Sequence, residues 1–317
     1  MKVNLLYLSK PRYGGWVTFT CHLYHCIKKF CDPSLYRISK KHENILRDYG
    51  YGIGYQNISD LTLTKLDKEK TIITAIDKSY YDYLPLLKGC VLVIHDPTEL
   101  SQYIIQNAKY FKIITIRKTV RDLLQKEYGI KSEFIYHPFY KYPVDKTQQE
   151  KNVSISRVDF DKHTEIILQA NPLIKGEENK IKIYGSENRI YVFHKLKGMD
   201  YNKYYQGLFN RSFYAVNNIL KNCKFVVDMS VIKKDGSGTQ YTFLEAINNK
   251  CCLILNEGWF NGNYEVLRPQ LNCLSAKDHI QLAGIINKAP KVADLISESQ
   301  KILDMHDLKE IPYIGVK

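Results

Sequence analysis

The sequence predicts an α/β chain made of two doubly wound, Rossmann-like domains, and three observations carry that expectation. Short apolar runs recur at residues 3–7, 71–75, 91–94, 113–116 and 133–136, with helix-like spacing between several of them. A second series of the same kind starts at 153–156, after a polar break. Residues 226–258 then read as strand, glycine-bearing loop, helix and strand in one stretch. Such alternation gives parallel sheets covered by helices on both faces.

In chain order, residues 3–7 form the first buried strand. The run is interrupted by Asn4 and is too short for a secretory leader. A turn carrying Gly14 and Gly15 follows, and then a helix over 18–29 with Phe19, Leu23, Cys26 and Ile27 on one face. The glycine pair lacks the full G-x-G-x-x-G pattern, so it brings backbone close to either a sugar or a phosphate. His95 and Asp96 follow the run 91–94. At the carboxyl end of a parallel strand, such a pair orients or deprotonates a hydroxyl, or else is a strand-end histidine and an Asp capping the turn at Pro97.

The polar, proline-marked segment 138–150 places the domain connection. Domains are expected at 1–142 and 143–290, with 291–317 helical in spacing and crossing back to the first. In the second domain a strand over 153–156 leads into a loop from Arg157 to Lys162 and a helix over 164–170. A strand over 181–184 ends at Gly185, and a helix over 212–222 leads to the run ending in Asp228, Met229 and Ser230. Next comes the loop Asp235, Gly236, Ser237, Gly238, Thr239 and Gln240, then a helix with Glu245, then a strand over 251–255. A loop of this kind presents unpaired N–H groups and the positive end of a helix dipole, which suits a phosphate. Glu245 lies two turns in, where a carboxylate can accept ribose hydroxyls; an ordinary loop with a surface glutamate is the plainer alternative.

The totals set limits. A length of 317 residues with 44% hydrophobic content supplies two cores, and no apolar run approaches the ~20 residues of a membrane span. Eight cysteines without a leader imply reduced thiols and a cytoplasmic protein; Cys21, Cys26 and Cys31 are too widely spaced for zinc. The net charge of +13 divides as 23 basic against 15 acidic residues in 1–150, and 23 against 18 in the remainder. It is spread rather than clustered. Nucleic acid, anionic lipid and an acidic glycan all remain as polyanionic partners beside a plain solvated surface.

Taken together these residues resemble the GT-B glycosyltransferases, within them family 4 and its relatives. In that family an Arg and a Lys five positions on, after the first strand of the second domain, hold the donor diphosphate, and Arg157 and Lys162 stand at that spacing. Leu244-Glu245-Ala246, Gly14-Gly15 and His95-Asp96 match further family positions. The usual acidic residue eight positions before the ribose glutamate is replaced by Ser237. A branch of similar pattern is the DNA α-glucosyltransferases of T-even-like phages, which glycosylate 5-hydroxymethylcytosine. The resemblance implies two domains facing across a cleft and a retaining transfer from a UDP-sugar to a hydroxyl, needing neither metal nor further cofactor. It implies Arg157, Lys162, Gly14, Gly15, Gly185, Ser237, Gly238, Thr239, Gln240 and Glu245 at the donor, and His95 and Asp96 at the acceptor. DNA is the favoured acceptor, with a polysaccharide, glycoprotein or lipid-linked glycan as the alternative. A non-catalytic nucleic-acid-binding protein would explain the charge but not the spacing of Arg157 and Lys162.

Overall fold

The computed structural model describes residues 1–9, 14–38, 51–145, 150–209, 212–231, 239–260 and 266–315. The chain divides into two compact units, Met1–Tyr140 with Met305–Lys317, and Lys141–Lys234 with Thr239–Asp304.

The first unit is built on seven strands: β1 (Lys2–Leu8), β2 (Asp32–Ile38), β3 (Gln56–Ile58), β4 (Thr71–Ile76), β5 (Val91–Ile94), β6 (Lys112–Thr115) and β7 (Glu133–Phe134). They lie in the order β3-β2-β1-β4-β5-β6-β7 and every pair is parallel. The chain winds outward from β1 to β3, then returns beside β1 at β4 and winds the other way. That reversal is the topological switch point, where open parallel sheets present their ligand sites. Every residue of β4 and of β5 is buried, as β-branched runs covered on both faces must be. Helix α1 (Gly15–Ile27) follows β1 and buries Val17, Phe19, Leu23, Cys26 and Ile27.

The last residues are tied to this unit. Phe139 N donates to His306 O at 2.9 Å, His306 Nδ1 lies 2.8 Å from His137 O, and Lys29 pairs with Asp307 at 2.8 Å.

The second unit holds β8 (Lys151–Ile155), β9 (Ile181–Tyr184), β10 (Cys223–Asp228), β11 (Cys252–Asn256) and β12 (Leu274–Ala276). Their order is β12-β11-β10-β8-β9, again all parallel, so the switch point falls between β8 and β10. Helix α2 (Thr164–Ala170) follows β8 and α3 (Tyr241–Asn248) precedes β11.

Three strands escape the apolar-run criterion. In β2, Asp32, Pro33, Ser34 and Arg37 break the hydrophobic run. Pro33 is tolerated because only β1 lies beside it there, β3 pairing from Tyr36 onward, so no ladder needs its missing N–H. β3 and β12 have three residues each, too short to show a pattern. The helical spacing over 292–305 resolves into two helices, Ala293–Gln300 and Ile302–Met305.

All eight cysteines are free thiols, and all but Cys31 are buried. Among the described residues no helix is long and apolar enough to cross a membrane.

Candidate functional site

In the second unit the loop after β8 is pinned between Arg157 and Lys162. Val158 is 1% exposed, its N–H donates to Ser186 O at 2.8 Å, and its carbonyl accepts from Asn188 N at 2.9 Å. Asp159 caps the turn Phe160–Lys162 by accepting from Phe160 N, and it is itself held by Asn188 Nδ2 at 2.9 Å. His163 then takes a left-handed conformation (φ 48), rare for a residue with a Cβ, and lets the chain turn at once into α2.

Arg157 and Lys162 leave this loop with different surroundings. Arg157 is 59% exposed and donates to Asp159 Oδ2 at 3.0 Å and to Asp161 Oδ2 at 3.3 Å. Lys162 is only 11% exposed. Its ammonium donates to Ser230 Oγ at 3.1 Å and to Gln240 Oε1 at 3.2 Å. Asp161 Oδ2 also lies 3.9 Å from Lys162 Nζ, so one carboxylate oxygen stands within ion-pair reach of both cations.

Behind Lys162 the chain of contacts continues. Ser230 donates from both its backbone N–H (2.8 Å) and its hydroxyl to Asp228 Oδ1. Asp228 is 5% exposed, and its Oδ2 has no hydrogen-bond partner among the described residues. Lys162, Ser230, Asp228 and Gln240 therefore meet at the switch point, contributed by the β8 loop, the end of β10 and the start of α3.

The remaining residues expected at the donor fall as follows. Gly185 is sterically required: a Cβ there would lie 1.9 Å from Ser156 O, and its φ is +144. Its N–H donates to Gly207 O and its carbonyl accepts from Tyr205, so it shapes the loop beside Arg157. Thr239 (8% exposed) and Gln240 lie ahead of α3, Gln240 at the N-cap. Glu245 is buried at 4% exposure within α3. Gly236, Ser237 and Gly238 lie outside the described residues.

In the first unit, α1 begins against the ends of β4 and β5. Gly14 and Gly15 open that helix, and among the described residues a Cβ on either would meet nothing within 4 Å. One turn along, Thr20 donates to Thr74 Oγ1 at 2.9 Å. The ring of His95, 5% exposed, packs edge-on to Phe19 at 4.6 Å, and its Nε2 lies 2.7 Å from Thr74 O. A carbonyl only accepts, so Nε2 carries the proton and Nδ1 is left as the acceptor. Burial, with a smaller push from Arg117, takes the His95 pKa down to about 4. Its imidazole is neutral at physiological pH.

Asp96 caps the turn Pro97–Glu99, accepting from Thr98 N at 2.8 Å and from the Thr98 hydroxyl. The capping role weighed from sequence is thus what its Oδ1 performs here. Glu99, which the sequence did not single out, joins the group. Its Oε2 accepts from His95 N at 2.9 Å and its Oε1 from Trp16 Nε1 at 2.7 Å. Burial raises its pKa to about 8.

Sequence reasoning brought Arg157 and Lys162 to one loop and His95 and Asp96 to one strand end. It gave no site role to Asp161, Asp228, Ser230, Glu99 or Trp16. Asp228 and Ser230 carried a signal, since a polar pair closing an apolar run marks a strand end; Trp16 and Glu99 are 83 positions apart and carried none. Among the described residues no cluster of His, Cys, Asp and Glu could hold a metal ion.

No family model matches the sequence, and no curated protein matches it. Solved structures do resemble it. An α-glucosyltransferase in complex with UDP and a 13-mer DNA containing an HMU base is similar over 96% of this chain and 95% of its own, at 12% identity and TM-score 0.70. Anabaena HepE in complex with UDP and glucose is similar over 96% and 97%, at 12% identity and TM-score 0.66. A glycosyltransferase from Rickettsia africae is similar over 96% and 93%, at 12% identity and TM-score 0.59. At such identities the likeness is one of fold: two all-parallel α/β sheets, as in the GT-B fold of these enzymes.

Proposed function

We propose that this protein is a GT-B glycosyltransferase that moves a sugar from a UDP-sugar to a hydroxyl acceptor, with retention at the anomeric carbon. The observation that carries the reading is the Lys162 ammonium, fixed at the switch point of the second sheet by Ser230 and Gln240 with Arg157 on the same loop. The UDP held by similarly folded enzymes supports the same placement.

In the proposed reaction the bond from the anomeric carbon to the β-phosphate oxygen breaks, and a bond from that carbon to the acceptor oxygen forms. The acceptor's proton passes to the departing diphosphate. Charge grows on that diphosphate, so preorganised cations lower the barrier most. Lys162 supplies one, Arg157 a second once it exchanges Asp159 and Asp161 for phosphate oxygens, and the positive end of the α3 dipole adds to both. Glu245 binds the ribose hydroxyls. In the first unit neutral His95 presents Nδ1 as an acceptor that orients the incoming hydroxyl, and Asp96 holds the turn beside it.

For the acceptor, we infer 5-hydroxymethylcytosine in DNA. The fold is shared with an enzyme bound to HMU-containing DNA, and residues 1–150 carry 23 basic against 15 acidic side chains. A glycan acceptor is the second reading; the similarly folded HepE holds UDP together with glucose. Incubation with radiolabelled UDP-sugars and hydroxymethylated DNA, unmodified DNA or lipid-linked glycan decides between them. Label in hydroxymethylated DNA alone is expected; label in glycan alone would overturn the DNA reading, and label in none would overturn the transferase reading. UDP is also expected to raise the Tm, as a ligand of the native state must.

A further inference from the structure

We propose that Glu99 is a positioning residue that clamps the start of α1 to the end of β5, and that its ionisation switches the clamp on. The proposal rests on the reading of the first unit as the acceptor side, but the clamp itself is a property of the fold.

Both carboxyl oxygens of Glu99 accept hydrogen bonds from groups that cannot accept in return. Oε1 takes the indole N–H of Trp16 at 2.7 Å, and Oε2 takes the backbone N–H of His95 at 2.9 Å. Trp16 is the residue immediately after Gly14-Gly15, in the first turn of α1. His95 is the first residue past β5. One side chain thus holds the glycine pair in fixed relation to the imidazole assigned to the acceptor hydroxyl. The turn that carries Glu99 is itself held, by Glu99 N donating to Asp96 O at 3.2 Å and by the Asp96 cap on Thr98.

Only the carboxylate makes both bonds well. A protonated carboxyl has one O–H, a donor, which would face the N–H of either Trp16 or His95. One of the two attachments is then weakened, and the Gly14-Gly15 end of α1 is held less firmly. The ionisable groups around Glu99 pull in different directions. Burial, the largest influence, raises its pKa, as does Asp96 beside it. The His95 N–H, the Trp16 indole and Arg117, at the start of the helix Lys118–Tyr128, lower it. His95 is itself neutral and adds no charge. The balance falls at about 8, so the clamp changes state near neutral pH.

Trp16 reports on the clamp directly. The chain has two tryptophans. The other, Trp259, is buried in the second unit against Phe243. A Trp259→Phe variant, excited so that tryptophan alone emits, is titrated from pH 6 to 10. One transition in Trp16 emission is expected near pH 8, abolished by Glu99→Gln in the same background. The indole N–H resonance of Trp16 in uniformly 15N-labelled wild-type protein, assigned with Trp16→Phe, gives the same reading if either variant folds poorly. In transfer assays kcat/KM is expected to fall ~10-fold from pH 9 to pH 7, and the fall to vanish in Glu99→Gln.

Trp16 signals that stay flat from pH 6 to 10 overturn the clamp, whatever the enzyme does. A Trp16 transition accompanied by a pH-independent kcat/KM overturns its catalytic role. A transition in a protein that neither binds UDP nor transfers sugar supports the clamp and overturns the proposed function.

Discussion

At the end of β8 charged side chains hold one another in partial contact with water, whereas at the end of β5 polar side chains are buried and held by backbone. Arg157, Asp159 and Asp161 are exposed enough for solvent and salt to compete for them. His95 is sealed under Phe19 and fixed to a carbonyl, and Glu99 is fixed to two N–H donors. The difference suits the two tasks proposed for these strand ends. A diphosphate brings its own charge and can displace a weak ion pair, so its site is best built from cations that exchange partners. A neutral hydroxyl brings little, so the group that orients it has to be set in advance, as His95 is, in one tautomer and one orientation.

The largest test of that contrast is within the second unit. Lys162→Ala should lower turnover by ~10²-fold or more, since it deletes a preorganised cation from the transition state. UDP release at saturating donor measures it, and activity within a few-fold of wild type would take Lys162 out of the site. From sequence alone Arg157 and Lys162 were on a par. The structure separates them: Arg157→Ala should cost less, ~10-fold, because an exposed guanidinium already shared between two carboxylates is less preorganised. A loss for Arg157→Ala greater than for Lys162→Ala would invert the comparison.

The buried side of the contrast is sharpened by acid. His95 and His306 are pushed down to about 4 by burial, and His22 and His137 are also held well below the usual histidine range by burial. The folded pKa values lie below the unfolded value near 6.5, so the unfolded chain takes up protons first as pH falls. Their contribution to stability is full above pH 6.5 and is lost as pH falls toward 4, on the order of 3 kcal/mol for His306 alone. Thermal melts should show Tm dropping across that window, and His306→Asn should make the drop shallower. A Tm independent of pH there would mean that the histidines are hydrated.

The smallest expected effect concerns Asp161, whose Oδ2 lies within ion-pair reach of Arg157 and Lys162 and would compete with a phosphate bound there. Asp161→Asn should tighten UDP binding a few-fold, the scale of an exposed ion pair, and the gain should shrink in high salt. Calorimetry with UDP measures it; weaker binding would show that Asp161 supports the loop instead of competing with the ligand.

Legibility from sequence followed burial. β5 was found at its observed bounds, Val91–Ile94, because a strand covered on both faces is a continuous apolar run. β9 was also found at its bounds, Ile181–Tyr184, with Ile181 and Ile183 buried at alternate positions. β2 was missed because its residues alternate between buried and exposed around a proline. The loop at Arg157 and Lys162 was legible because both lie on one short segment. The partners of Lys162 were not, since Ser230 is 68 positions away and Gln240 78.

The sequence by itself determined the two parallel α/β series and the excess of positive charge, and it put charged or glycine residues at the carboxyl ends of strands. These are local facts, dictated by hydrophobic period and turn chemistry. Only the tertiary structure decided that Lys162 is sheltered while Arg157 is not, that His95 is neutral, and that Glu99 joins α1 to β5. Protonation and exposure depend on what the fold packs around a side chain, and the neighbours that set them come from distant parts of the chain.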